Sequence, residues 1–237
     1  MLLHGEASPK PSLDFAFPPE LVDALHMLHH LRRGSLLDPS LHSAEDRAVQ
    51  RDLFLRLPLE DSLFMMAPSL LSIRIDFIAP TAPGIESFEQ VPPETLVLWD
   101  NVMIAGDHFD SLFVWSGCGL PASDSRFQPV RDLCKSILME RSKYRFPAPL
   151  LHVLSENDSM GRRFTSRLVP SHLDPPEQQI AHFPALASLS SDEIYRLRDK
   201  FRFYDESPDA SFRRWFWNTA GVSSKVADEG TSLCENE

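Results

Sequence analysis

Apolar residues in the first third of the chain recur at the spacing of one face of a helix. The first such stretch predicts a helix whose apolar residues are Leu21, Leu25 and Leu28. Gly34 is expected to end this helix. A second helix is predicted from 44 to 57, because Ser43 is placed to cap it. Its expected buried side consists of Val49, Leu53 and Leu57. Pro58 suits the first turn of a third helix, which Pro68 ends.

The pattern then changes to the alternation of apolar and polar residues that marks a strand with one buried face. Ile73, Ile75 and Phe77 alternate with polar neighbours. Further strands are predicted at 96–99, 102–105, 112–115 and 150–154. Before the last of them comes a helical stripe formed by Val130, Leu133, Ile137 and Leu138. The fold class is therefore α+β, with a short helical segment followed by a small mixed sheet flanked by helices.

Helical patterns return in the last third of the chain. A short helix is predicted after Asp158 or Ser159, either of which could cap it, and Arg162 falls in its first turn. Ser190 and Glu193 have the spacing of a capping box ahead of a longer helix. One more helix is predicted from 207 through 217. The predicted organisation is a disordered start at 1–13, a helical segment at 14–70, a strand and linker at 71–90, a sheet domain at 91–185, C-terminal helices at 186–221 and a disordered tail at 222–237.

Composition narrows the class of function. The 237 residues carry 23 Lys+Arg against 34 Asp+Glu, and the formal net charge of −11 disfavours a nucleic-acid partner. The three cysteines are widely spaced and predict neither a disulfide framework nor a zinc site. The sequence contains no nucleophile elbow, P-loop or dinucleotide-binding glycine pattern. We therefore expect no self-contained enzyme, no cofactor and no metal in this chain.

Three groups of motifs, in their order and spacing, resemble the COPII inner-coat subunit of the Sec twenty-three type over about residues 15–205. The first group lies in the helical segment and consists of His30-Leu31-Arg32-Arg33-Gly34-Ser35 and the run 63–70. The second is the run 95–115. The third and sharpest consists of Arg145-Phe146-Pro147-Ala148-Pro149, Ser159-Met160-Gly161-Arg162 and Ser166-Arg167-Leu168-Val169-Pro170-Ser171. The resemblance covers only a C-terminal portion of such a subunit.

This resemblance implies that residues 91–185 form a gelsolin-like domain. It also implies a COPII coat component in transport from the endoplasmic reticulum to the Golgi, which activates a Sar-type small GTPase instead of being an enzyme by itself. Its expected partners are that GTPase and the partner inner-coat subunit. The expected location is cytoplasmic, peripheral to the membrane at endoplasmic reticulum exit sites and COPII vesicles. The family's zinc site would lie upstream of this sequence, so no cofactor is expected.

The matched spacing places Arg162 on the family's arginine finger. Phosphoryl transfer spreads negative charge over the terminal phosphate oxygens, and a planar, permanently charged guanidinium suits that charge. The family usually has an apolar residue after the finger, whereas Arg163 follows here and is the alternative finger.

Other interpretations stay open at this stage. A non-catalytic coat or adaptor fragment is one, and a gelsolin-like module that binds actin or calcium through Asp100, Asp107 and Asp110 is another. His26, His29 and His30 have metal-ligand spacing, although a solvated helix edge is expected for them. The aromatic segment 212–217 is expected to pack on the protein. The strand at 73–77 is expected to leave an apolar edge, so we expect either a truncated product or a partner that covers that edge.

Overall fold

In the computed structural model of the chain, the described residues are 19–34, 36–38, 43–75, 87–156, 158–174, 179–180, 183–201, 211–212, 215–216 and 219. The predicted disordered start and tail, at 1–13 and 222–237, lie outside them, as does most of the helix predicted from 207 through 217. The chain divides into two compact units, one of residues 30–168 and one that combines 1–29 with 169–237.

The described residues contain both helices and strands, as the sequence predicts. The helices are α1 (Pro19–Arg33), α2 (Ala44–Arg56), α3 (Leu59–Met66), α4 (Gln128–Arg141), α5 (Gly161–Thr165) and α6 (Ser191–Phe201). The strands are β1 (Ser69–Arg74), β2 (Glu89–Val91), β3 (Val102–Asp107), β4 (Ser111–Ser116) and β5 (Leu150–Ser155). Short 3₁₀ turns occupy Thr95–Val97, Ser125–Phe127, Ser171–Leu173 and Pro184–Ser188. None of the described helices has both the length and the apolar character that crossing a bilayer requires.

The unit of residues 30–168 is built on a five-stranded mixed sheet in the order β2-β1-β3-β4-β5. The first four strands of this order pair antiparallel, and β5 pairs parallel to β4. A parallel neighbour needs a crossover, which here contains α4. The α+β class and the small mixed sheet flanked by helices are thereby confirmed.

The core of this unit lies between α4 and one face of the sheet. Of the stripe predicted for α4, Val130, Ile137 and Leu138 are buried in that core and Leu133 is partly buried against it. Cys134, which the prediction did not include, is buried with them. The strand residues that meet them are Leu71, Ile73, Met103, Ala105, Leu112 and Val114. Because side chains alternate along a strand, the other face of β4 presents Phe113 and Trp115 to a different neighbour. That neighbour is α5.

The helical segment that precedes the sheet packs around a second, smaller cluster. Leu36, Met65 and Phe109 are buried together, with half-buried side chains of α2 and α3 around them. Ser43 caps α2 as predicted, since its Oγ accepts a hydrogen bond from the Asp46 backbone N–H at 3.1 Å. The buried side predicted for α2 is only partly right, because Leu53 and Leu57 pack half-buried against this cluster whereas Val49 is largely exposed.

The predictions for two strands need correction. Residues 96–99 form no strand; the 3₁₀ turn Thr95–Val97 overlaps their start, and the Trp99 Nε1 donates to the Leu96 carbonyl at 2.7 Å. A short buried apolar run fits either structure, so its pattern could not decide between them. Strand β1 lies at Ser69–Arg74, ahead of the predicted position, and pairs with β2 on one side and β3 on the other. Over residues 70–72 this strand has a neighbour on each side, which contradicts the expected uncovered edge there, whereas Asp76 and Phe77 lie outside the described residues.

The other unit joins the two ends of the chain. Leu25 of α1 packs with Phe212 and Phe216, so the expected packing of the aromatic segment is confirmed where the structure describes it. His29 is fully buried beside Phe212, and His30 is buried in the other unit, so the expectation of a solvated histidine edge is wrong. The capping box of α6 is confirmed, because Ser190 Oγ accepts from the Glu193 N–H and Glu193 Oε2 accepts from the Ser190 N–H.

Candidate functional site

The two candidate finger residues lie on the exposed side of α5. Arg162 and Arg163 are both exposed, whereas the flanking residues Gly161 and Phe164 are buried. Within the part of the chain that the structure describes, neither guanidinium takes part in an ion pair or a side-chain hydrogen bond. Both side chains can therefore reach a neighbouring molecule.

The start of α5 differs from the prediction. Met160 occupies the N-cap position and no side chain caps the helix. The Asp158 Oδ2 instead accepts a hydrogen bond from the Ser155 backbone N–H at 2.6 Å and so binds the end of β5. The predicted caps, Asp158 and Ser159, are therefore wrong, because the carboxylate turns back to the strand that precedes the helix.

The inner side of α5 packs on the face of the sheet opposite α4. The Phe164 side chain is 0% exposed, and its ring centroid lies 5.4 Å from that of Phe113 and 6.2 Å from that of Trp115. A β-carbon added to Gly106 would lie 2.8 Å from the Phe164 Cε2, so the glycine leaves the space that the ring occupies. The helix is therefore seated directly on β3 and β4.

An ion pair connects the chain just after α5 to the turn between β3 and β4. The Arg167 Nη1 lies 2.8 Å from the Asp110 Oδ1, and its Nη2 lies 3.1 Å from the Oδ2. The same Nη1 donates to the His108 carbonyl oxygen at 2.9 Å. Such a forked contact fixes direction as well as distance. A cavity of about 30 Å³, lined in part by Asp110 and Arg167, adjoins the pair.

The same turn is fixed from its other side by a buried charge network. The Arg145 Nη1 and Nη2 donate to the two carboxylate oxygens of Asp107 at 2.7 and 2.9 Å, and both side chains are 1% exposed. Asp61 of α3 adds a contact of 3.3 Å to the Arg145 Nε. Burial acts to lower the pKa of Arg145, but the hydrogen bonds and charge of Asp107, aided by Asp61, outweigh it and raise that pKa. Arg145 thus stays charged and joins α3 to β3.

The turn itself has a strained backbone. Phe109 has a φ of 71°, in the left-handed region that residues other than glycine rarely adopt. Its backbone N–H donates to the Asp107 Oδ1 at 2.9 Å, and its carbonyl oxygen accepts from Arg145 at 3.2 Å. The ring is 2% exposed and packs with Met65 and Leu36. These contacts hold the conformation, as strained residues require.

The alternative calcium site is not formed by the residues that the sequence indicates. Asp107 and Asp110 each bind an arginine, Arg145 and Arg167 respectively. Among the described residues, Asp100 instead lies with Cys118 and Glu156, and one potential ligand atom from each lies within 4.8 Å of the others. The Glu156 Oε2 accepts a hydrogen bond from the Cys118 backbone N–H at 3.0 Å. Exposed carboxylates often come together in this way without a metal, so we assign none.

Sequence patterns could find the two finger candidates but not the contacts that support them. Arg167 and Asp110 are 57 residues apart, and Arg145 and Asp107 are 38 apart, so no periodicity connects them. The one available signal is that Arg145 and Arg167 each lie in a motif of the resemblance described above.

Comparison with known proteins gives no matching family model. The chain is 34% identical over 214 residues to protein transport protein SEC23 A of Arabidopsis thaliana, covering 90% of this chain and 23% of that protein. It is 24% identical over 187 residues to SEC23 C of the same plant, covering 76% of this chain and 23% of that protein. The chain therefore spans about a quarter of the length of these curated relatives.

The fold has a counterpart among solved structures. The crystal structure of the human COPII-coat protein Sec24c matches 78% of this chain with a TM-score of 0.51, over 26% of that protein's chain. The sequence identity is 16%, so this likeness concerns the fold alone. The similarity to SEC23 A confirms the resemblance predicted from the motifs, and the chain is similar to a portion of a COPII protein of the Sec23/Sec24 type, with a fold that it shares with Sec24c.

Proposed function

We propose that the chain is a COPII vesicle-coat component in transport from the endoplasmic reticulum to the Golgi, and that it activates GTP hydrolysis by a Sar-type GTPase. The similarity to SEC23 A over 90% of the chain supports the coat role. In this proposal the partners are the GTPase and the partner inner-coat subunit. The chain acts at the cytoplasmic face of the endoplasmic reticulum, held to the membrane through the coat. It is a regulator that contributes one side chain, and the GTPase remains the enzyme.

The observation that carries the catalytic part is the exposed guanidinium of Arg162 on a helix that is anchored from behind. A finger has to reach out of its own surface, and Arg162 does so from the outer side of α5. It also has to be held in place, because catalysis of phosphoryl transfer depends on positioned positive charge. Phe164 on the inner side of the same helix is fully buried against the sheet. Arg163, its exposed neighbour, is the alternative finger.

The test is the rate of single-turnover GTP hydrolysis by a Sar-type GTPase with saturating amounts of the chain. An arginine finger contributes about 10³ to 10⁵ to the rate. We expect Arg162→Ala to lose an acceleration of that order, while Arg163→Ala keeps most of it. Arg141→Ala is the matched control, since Arg141 is an exposed arginine at the end of α4.

Each other result has a definite meaning. Loss of the acceleration in Arg163→Ala alone would move the finger to Arg163. An equal rate with and without the wild-type chain, measured while the chain binds the GTPase, would overturn the catalytic proposal in favour of a non-catalytic coat or adaptor protein.

A further inference from the structure

The helix that carries the proposed finger is too short to maintain its own geometry. α5 has five residues, and isolated helices of fewer than about 12 residues are marginal in water. It also lacks a side-chain cap at its first residue. The direction in which Arg162 points is therefore decided by what the helix is attached to.

Apolar packing supplies only part of that attachment. The Phe164 ring fixes how deeply α5 sits on the sheet, with its centroid 5.3 Å from that of His108 and 5.4 Å from that of Phe113. Contacts between rings are tolerant of small rotations, because dispersion attraction has little dependence on direction. A directional contact is needed to fix the rotation of a helix that rests on one aromatic side chain.

Arg167 provides such a directional contact. It lies two residues beyond α5 and makes three hydrogen bonds to the turn between β3 and β4, two to the carboxylate of Asp110 and one to the His108 carbonyl oxygen. The planar guanidinium can satisfy all three only in one orientation. That turn is itself held by the buried pair of Arg145 with Asp107. The contact therefore ties the end of α5 to a fixed point.

We propose that Arg167 and Asp110 form a positioning clamp, which sets the orientation of α5 and thereby aims the guanidinium of Arg162. This inference rests on the proposed function, because a clamp matters only if the finger acts. Arg167 and Asp110 are positioning residues, and they act on the reaction through Arg162.

The exposure of the pair separates this role from a merely structural one. Arg167 and Asp110 are 22% and 28% exposed, and partly exposed ion pairs add little to global stability. Catalysis is far more sensitive, since a misplacement of about 1 Å can lower a rate by about 10²-fold. Loss of the clamp should therefore lower the stimulated rate while the unfolding temperature changes by only a few degrees.

The experiment is a double-mutant cycle of Arg162→Ala and Arg167→Gln in the full chain, read out as GTP hydrolysis by a Sar-type GTPase. We expect Arg167→Gln to lower the maximal stimulated rate by about 10- to 100-fold and to leave the half-saturating concentration of the chain unchanged. In the Arg162→Ala background the same substitution should have no further effect. Arg167→Lys, which keeps the charge but loses the fork, should recover part of the rate. Asp110→Asn tests the same contact from the other side.

Arg126→Gln is the matched control. Arg126 also makes a forked contact with an aspartate, Asp124, in the same unit, but it lies just before α4. Its removal should leave the stimulated rate as it is.

Three outcomes would contradict the clamp. It is overturned if Arg167→Gln and Asp110→Asn both keep the full maximal rate, or if Arg167→Gln lowers the rate equally with and without Arg162. In both cases a normal loss in Arg162→Ala alone shows that the finger itself survives. If Arg162→Ala loses nothing, the proposed function fails, and the clamp fails with it.

Discussion

The buried side chain of His108 makes the stability of the folded chain depend on pH. It is 3% exposed and lies 4.8 Å, between ring centroids, from Phe113. Neither ring nitrogen has a hydrogen-bond partner within the described part of the chain. Burial lowers the pKa of His108 well below 6.5, and the positive charges of Arg167 and His30 lower it further. The folded protein therefore keeps this ring neutral at pH values where an unfolded chain would protonate it.

This depressed pKa predicts that the chain is less stable in acid. Below pH 6.5 the unfolded chain binds a proton at His108 that the folded chain does not. The free energy of unfolding should therefore be fully retained above pH 6.5 and fall below it, by about 1.4 kcal/mol for each pH unit. Urea unfolding between pH 7.5 and 5.5 measures the slope.

The contribution of His108 is obtained by comparison of variants. His108→Phe should remove about one proton's worth of that slope, because a phenyl ring can keep the contacts with Phe113 and Phe164. His152→Phe is the control, since His152 also stacks on Phe113. An unchanged slope in His108→Phe would show that other groups cause the acid sensitivity.

At the scale of single residues, the sequence could identify Arg162 and Arg163 as candidates but could not show how Arg145 and Arg167 differ from them. Arg145, Arg162 and Arg167 lie in the same group of motifs, and Arg163 directly follows Arg162. Two point outward and two bind the carboxylates of Asp107 and Asp110. The difference depends on strands that lie far away in the sequence, so local pattern alone does not contain it.

Among the elements, α5 depends most on one position in a neighbouring strand. A β-carbon at position 106 would lie 2.8 Å from the Phe164 Cε2 and 3.2 Å from the Leu70 Cδ2. We expect Gly106→Ala to displace the ring, to lower the free energy of unfolding by about 1–3 kcal/mol and to reduce the stimulated rate of GTP hydrolysis.

Gly161→Ala is the control for Gly106→Ala. Its β-carbon would have its nearest contact at 3.5 Å, from the Glu156 carbonyl oxygen, and alanine favours a helix more than glycine does. Chemical denaturation should therefore give a lower free energy of unfolding for Gly106→Ala than for the wild type, and an equal or higher one for Gly161→Ala. Equal stability of Gly106→Ala and the wild type would show that Phe164 can move at no cost.

Element by element, the sequence predicts best what is decided locally. The cap at Ser43, the capping box at Ser190 and the stripe of α4 depend on residues within one or two turns, and the structure contains all three. The burial of α2 depends on what packs against it, and the apolar run at 96–99 was ambiguous between a strand and a turn. Both outcomes depend on tertiary packing, so the prediction for α2 was only partly right and the one for 96–99 was wrong.

For the whole molecule, the reactivity of two cysteines shows whether the packing of α4 on the sheet is intact. Cys134 is buried between α4 and the sheet, and burial raises the pKa of its thiol to about 12. Cys118 is exposed. In native protein at pH 8, iodoacetamide should modify Cys118 and leave Cys134 unmodified, because a thiol that is both inaccessible and protonated does not react.

Mass spectrometry of a chain that carries Cys234→Ser would measure this difference. Urea above the unfolding midpoint should make Cys134 reactive, and Cys118→Ser should abolish the native reaction. If Cys134 of the native protein were modified as fast as Cys118, α4 would have to separate readily from the sheet.

The fold class of the whole chain could be predicted because the order of the elements is visible in their periodicity. The division of the chain into two units could not be predicted. Leu25 and Phe212 lie near opposite ends of the chain and nevertheless share one apolar cluster. Nothing in the local pattern of either segment indicates the other.

The fold constrains the residues on the two sides of α5 unequally. Phe164 on its inner side packs against β3 and β4, whereas Arg162 and Arg163 on its outer side are exposed. A substitution at either outer position should therefore leave the fold unchanged, although one at 162 would remove the proposed finger. In the proposed function, the outer side of α5 could thus change to suit a different GTPase surface without a change of fold.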